Sequence, residues 1–145
     1  MKRILFLFIM LSSVYCRAQV IPADSTLIRE ACENYVGGFY NADTMRLAQA
    51  LHPELAKRIV AKRMDDKLMN MSAAELIKAA KGFKNTNDKN PQEPFKITVF
   101  IYDIANDISE AKIITNKMNF IDYVQLVKIK GAWKIINVLW AFNKS

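Results

Sequence analysis

The chain predicts an α+β fold, with helices first and an antiparallel meander second. Three features carry that expectation. Apolar residues recur at helical spacing in the first half, with capping residues ahead of them; a polar stretch rich in turn formers, "KNTNDKNPQEP", closes that half; and from Phe95 the period becomes that of strands. At 145 residues, 52% apolar and 24% charged, the chain is long enough for one domain with a hydrophobic core and too short for two.

After a short tether ending near Pro22, "DSTLIREACENYVGGFYNAD" opens with Asp24 or Ser25 as N-cap. Its apolar residues stay in phase from Leu27 to Phe39, a first helix of about four turns. Gly37 and Gly38 near its end either admit a close neighbour or loosen the last turn. "DTMRLAQAL" begins a second, shorter helix capped by Asp43, which His52-Pro53 breaks. Residues 55–70 read either as a short strand or as a loop with helical character. The basic residues there, Lys57, Arg58, Lys62 and Arg63, alternate with Glu54, Asp65 and Asp66 and read as a solvated helix face. "MSAAELIKAAKGF" is a third helix, in which Ser72 and Glu75 make a capping box and Gly82 is the stop.

Four β-branched, aromatic-rich segments follow: "FKITVFIYDIA", "DISEAKIITN", "MNFIDYVQLVKIK" and "AWKIINVLWAFN". Lys130-Gly131 makes a two-residue turn between the last two, with Gly131 supplying a positive φ. Regular pairing from that turn sets Lys128 against Trp133, Leu126 against Ile135, Val124 against Asn137 and Asp122 against Leu139, all on one face. Asp122 and Asn137 are then diagonal neighbours, a polar pair inside an apolar hairpin. A buried carboxylate without a partner costs several kcal/mol, so Asp122 needs a partner, a proton or a wet cavity. Neither face is cleanly polar, and a two-fold dimer packed sheet to sheet is an economical way to cover the second.

The first twenty residues, "MKRILFLFIMLSSVYCRAQV", have a basic start, an apolar run from Ile4 to Leu11 and small or polar residues up to Ala18. Residues 1–18 therefore read as a secretory signal peptide, residues 19–145 as the domain, and the protein as exported, periplasmic or secreted. The run is too short to span a bilayer stably. Lipid anchoring at Cys16 is the alternative, but bulky Tyr15 precedes it. Removing residues 1–18 takes away three basic residues and no acid, lowering the net charge by three, from +7 to +4. An exported chain without exposed aromatics among its basic residues does not fit nucleic acid. Only Cys32 then remains, on the apolar stripe with Ile28, Tyr35 and Val36, which suits a small core residue better than a nucleophile. One histidine and no clustered carboxylates make no metal site, and no phosphate loop or dinucleotide fingerprint calls for a cofactor.

"YVGGFYNADTMRLAQALHPELAKR", "MSAAELIKAAK" and "DYVQLVKIKGAWKIINVLW" together resemble the putative lumazine-binding family, within the nuclear transport factor 2-like superfamily. The resemblance covers nearly all of the chain after residue 18, with "ALHPELAKR" and "WKIINVLW" its most specific pieces. It implies a cone: a curved antiparallel sheet wrapped around about three N-terminal helices, with a pocket between them and often a homodimer through the sheet. Superfamily relatives include isomerases and dehydratases as well as proteins that only bind. Their catalytic residues do not transfer to this chain.

His52, the lone histidine, either acts on a ligand as donor or general base or shapes the turn before Pro53. Asp122 with Asn137 either lines the pocket, with Asp122 as a general base, or Asp122 pairs with Lys128, Lys134 or a helix residue at the sheet rim. Tyr35, Tyr40, Tyr102, Trp133 and Trp140 offer aromatic walls for a flat ligand, or plain core packing. The expected function is binding of a small apolar or aromatic molecule, or a scaffold role. The alternative is an isomerase- or dehydratase-type enzyme using Asp122 or His52 as base.

Overall fold

A computed structural model describes residues 23–61, 66–84 and 91–143. The signal peptide expected over residues 1–18, and residues 85–90 of the expected loop, lie outside the described residues. Three helices, α1 (Asp24–Tyr40), α2 (Thr44–Ala50) and α3 (Ala73–Lys81), accompany six strands: β1 (Leu51–Ala61), β2 (Lys67–Met71), β3 (Ile97–Ala105), β4 (Ile108–Thr115), β5 (Phe120–Ile129) and β6 (Ala132–Phe142). The strands form one curved sheet in the order β2-β1-β6-β5-β4-β3. Helix α1 packs on β3 and β6, and α3 packs on β1.

Two expectations about the architecture are corrected. The sheet is mixed rather than antiparallel, because β1 runs parallel to β6. The helices are also not all ahead of the strands, since β1 and β2 separate α2 from α3. Of the stretch read as a solvated helix face, Glu54, Lys57 and Arg58 lie in strand β1, in line with the strand alternative for residues 55–70, while Lys62, Arg63 and Asp65 lie outside the described residues. His52-Pro53 ends α2 as expected, and the chain passes straight into extended backbone; the irregular register between Leu51 and Ala56 accommodates Pro53, which has no ladder donor.

The local signals hold at most termini. Asp43 caps α2 by accepting from the Arg46 backbone N–H at 3.0 Å, and Ser72 with Glu75 forms the full capping box of α3. Helix α1 is the exception, with Ala23 at its N-cap and no side-chain cap bond. Asp24 lies one position further in, where its charge still suits the helix dipole. Its carboxylate is engaged by Trp133 Nε1 at 2.9 Å and Lys128 Nζ at 2.8 Å.

Gly38 sets the angle between α1 and α2. A Cβ there would lie 2.7 Å from the Leu47 backbone nitrogen, whereas the nearest atoms to one at Gly37 are those of the Arg46 guanidinium, at 3.0 Å, the far end of a long side chain. Gly38→Ala is therefore expected to cost about 1–3 kcal/mol through overpacking. Gly37→Ala should stay within about 1 kcal/mol of the parent, because a helix-propensity gain offsets the shift of the arginine. Urea denaturation of the two variants checks the contrast.

The last hairpin turns at Lys130-Gly131, both with positive φ (50° and 81°), and Ile129 faces Ala132 as expected. Its register holds as far as Leu126 against Ile135 and then shifts. Gln125 pairs with Asn137, Val124 with Val138, Tyr123 with Leu139 and Asp122 with Trp140, leaving Ile136 as the extra residue of a bulge. The expected pairs of Val124 with Asn137 and Asp122 with Leu139 are thereby overturned. Beyond the bulge Val138 and Trp140 turn inward, and Asn137 turns away from Asp122. The core fills the inner face with Ile28, Leu47, Ile113, Val124, Leu126 and Ile135, all essentially without solvent contact.

Candidate functional site

One polar cluster lies inside this core. Strand alternation on β5 points Asp122 inward with Val124 and Leu126, and the side chain is completely buried. Helix α1 presents Tyr35 on the stripe that also carries Ile28, Ala31, Cys32 and Val36. The third member is Lys57 on β1, 8% exposed. It pairs in the ladder with Val138 while Asp122 pairs with Trp140, so the lysine reaches over β6 to meet the carboxylate.

Every partner is within bonding distance. Lys57 Nζ donates to Asp122 Oδ1 at 3.0 Å and to Tyr35 Oη at 2.7 Å, and Tyr35 Oη donates to Asp122 Oδ2 at 2.9 Å. Both carboxylate oxygens are satisfied, which is the condition for keeping a buried charge. The ammonium also sits against three rings, with centroids 4.9 Å (Trp140), 5.4 Å (Tyr35) and 5.6 Å (Phe120) away.

Burial dominates the ionisation of the cluster. It lowers the Lys57 ammonium below its ordinary range, with Asp122 opposing the shift. It also pushes the Tyr35 phenol well above 10.0, and the Asp122 carboxylate adds to that. Cys32 is forced up to about 12, chiefly by burial, so at neutral pH it is a thiol packed in the core and no nucleophile. The Tyr35 shift has a checkable sign. In the unfolded chain the phenol ionises from pH 10 upward while the folded protein still holds its proton, so stability falls as pH rises above 10. Tyr35→Phe is expected to make that alkaline fall shallower, as read by urea denaturation at two pH values either side of 10.

Beside the cluster lies a cavity of about 280 Å³, near the lower end of the usual range for ligand sites, about 300–1,000 Å³. Tyr35, Lys57, Phe120 and Trp140 wall its polar end; Phe39, Met71, Leu76 and Phe83 are among the rest. The wall is carbon almost throughout and includes Phe142, which is also exposed to solvent. Asp122 itself is not on the wall but behind Lys57 and Tyr35.

The structure brings together three of the residues singled out from the sequence, Tyr35, Asp122 and Trp140. Tyr40 instead stacks on Phe95, ring centroids 3.9 Å apart. His52 is half-buried on β1, away from the cavity wall, with its Nδ1 accepting the Glu54 backbone N–H at 3.2 Å. Tyr102 is exposed on the opposite face of the sheet, stacked 6.3 Å from Tyr123. Trp133 is buried near the start of α1, where it holds Asp24. Asn137, carried outward by the bulge, donates to Gln125 Oε1 at 3.0 Å. Lys57 is the residue missed. Its signal was parity, because once β1 is a strand Lys57 is in phase with the buried Leu55 while Arg58 is not.

Comparison with known proteins matches this geometry to a group. The family model described as putative lumazine-binding matches residues 23–141. Comparison with curated proteins returned no match. A nuclear transport factor 2-like protein of unknown function from Shewanella baltica superposes with a TM-score of 0.68 at 21% identity, over 84% of this chain and 95% of that one. A ketosteroid isomerase-like protein from Erwinia carotovora atroseptica gives 0.60 at 10% identity, over 86% of this chain and 100% of that one. A putative scytalone dehydratase from Novosphingobium aromaticivorans gives 0.58 at 11% identity, over 83% and 85% respectively. At these identities the likeness establishes the nuclear transport factor 2-like fold.

Proposed function

The chain belongs to the putative lumazine-binding family, and from that membership and the cavity we propose that it binds a small, mostly apolar molecule between α1, α3 and the sheet. The observation that carries the reading is the cavity itself: carbon-walled, with the hydrogen-bonded Lys57–Tyr35–Asp122 cluster at one end. A scaffold would have no need of a cavity of this size with a built polar end. Enzyme chemistry of the isomerase or dehydratase kind is the weaker reading. Asp122 stands behind two other side chains with both oxygens occupied, and His52 is away from the wall, so neither has a path to a substrate proton.

Two further parts of the reading rest on other observations. Export is supported by the layout of residues 1–18. Among the described residues no helix is long and apolar enough to cross a membrane. Self-association through the outer face of the sheet is supported by exposed Phe100, Tyr102, Tyr123 and Leu139.

A thermal-shift screen with uncharged aromatic and flavin-like compounds tests the binding reading. A ligand at a hundred times its Kd should add about 2.7 kcal/mol to the folded state, a rise of several degrees in Tm. A blank result across a broad panel, with protein that melts cooperatively, overturns it.

A further inference from the structure

Lys57, one of the residues lining the cavity, has one donor beyond those taken by its two oxygen partners. Lys57 carries three N–H groups. One is given to Tyr35 Oη and one to Asp122 Oδ1, and the Tyr35 hydroxyl proton goes to Asp122 Oδ2. The third N–H of Lys57 is given to no oxygen among the described residues. The ammonium that carries it lies against the Trp140 and Phe120 rings, both on the cavity wall.

We propose that the cavity selects an uncharged, largely apolar molecule with a single hydrogen-bond acceptor, of the carbonyl type, whose oxygen receives the third N–H of Lys57. The proposal rests on the binding reading above and names the ligand class for the same site. Four alternatives fit less well. A carboxylate would find a lysine already neutralised by Asp122, so it would enter as an uncompensated charge in a carbon-walled space and face Asp122 across the shared ammonium. An amine would need an open acceptor, and the Asp122 oxygens are occupied behind the wall. A hydrocarbon leaves the N–H with only the rings, forgoing a charge-assisted hydrogen bond. A ring system with polar atoms around its whole edge, as in a pteridine, would strand most of them against carbon.

Calorimetric titration of the full chain at neutral pH with four probes of similar shape tests this: acetophenone, benzoate, benzylamine and ethylbenzene. Acetophenone should bind at least ten-fold more tightly than each of the others. In the double variant Lys57→Met/Asp122→Leu, which removes both charges together, its affinity should fall to that of ethylbenzene. Benzoate binding as tightly as acetophenone would overturn the selection for an uncharged ligand. Ethylbenzene binding as tightly would overturn the role of the lysine. The wild-type ordering decides the matter even if the variant does not fold. If none of the four binds while the broader screen finds a ligand of another class, this proposal falls and the binding reading stands; if the screen is blank as well, both fall.

Discussion

Asp122→Ala is expected to destabilise the protein by about 3–5 kcal/mol, the cost of leaving a buried ion without its partner. The cause is Lys57 rather than a lost bond of the aspartate. Without the carboxylate, the ammonium would keep one oxygen partner, Tyr35, and three ring faces in a largely buried, apolar region. The double variant Lys57→Met/Asp122→Leu removes both charges and should recover most of the loss, to within about 2 kcal/mol of the parent, since well-packed apolar pairs often replace buried ion pairs at little cost. The penalty should also depend on pH with a definite sign. Burial already holds the Lys57 pKa below the 10.5 of the unfolded chain, and removing Asp122 takes away the attraction that opposes that shift. Between the lowered folded pKa and 10.5 the unfolded state binds more protons, so stability rises with pH there. The Asp122→Ala penalty is therefore largest below that folded pKa and relieved as pH climbs toward 10.5. Urea denaturation of parent and variant at pH 7 and near pH 10 reads this directly. A loss of the same size at both values would show that the variant fails for a reason other than a stranded ammonium.

What could be read from the sequence and what could not divides along the range of the interactions. The caps of α2 and α3, the stop at Gly82, the close approach at Gly38 and the turn at Lys130-Gly131 are settled by residues a few positions apart, and each can be read locally. Which face of the sheet turns inward was left open, but that Asp122 shares its face with Val124 and Leu126 was legible for the same reason, since it follows from alternation along β5 alone. Its neighbour was not. The bulge at Ile136 has no glycine or proline to mark it, and one extra residue in β6 exchanges the faces of everything beyond it. The one hint was Asn137, a polar side chain that regular pairing would have placed in the core. Lys57 was hidden differently. Its short-range context, basic and acidic residues in alternation, is that of a solvated surface, and only a carboxylate 65 residues away makes burial tolerable. A site assembled from α1, β1 and β5 has no local signature, because its chemistry arises where three distant segments meet.

Trp133→Ala is the second large loss expected, about 3–5 kcal/mol for truncating a buried indole. Trp133 is 4% exposed at the start of β6 and joins the two ends of the described chain. Its ring packs in the core beneath α1, its Nε1–H holds Asp24 at 2.9 Å, and Lys128, which pairs with it across the hairpin, binds the same carboxylate. Truncation thus opens a cavity and loosens the first turn of the helix that carries Tyr35. Trp133→Phe separates these effects. It keeps most of the ring volume and loses only the bond to a solvent-accessible carboxylate, so its cost should be a small fraction of that of alanine. Because Trp133 is not on the cavity wall and Trp140 is, the two tryptophans should also differ in binding. For any compound found in the screen, Trp133→Phe should leave affinity unchanged, while Trp140→Leu, which removes a ring from beside the Lys57 ammonium, should weaken it by about ten-fold, on the scale of one cation–π contact with its packing. If Trp133→Phe abolishes binding while the melting temperature holds, the ligand lies at the other end of the helix, and the Lys57 cluster is a structural ion pair with a cavity beside it.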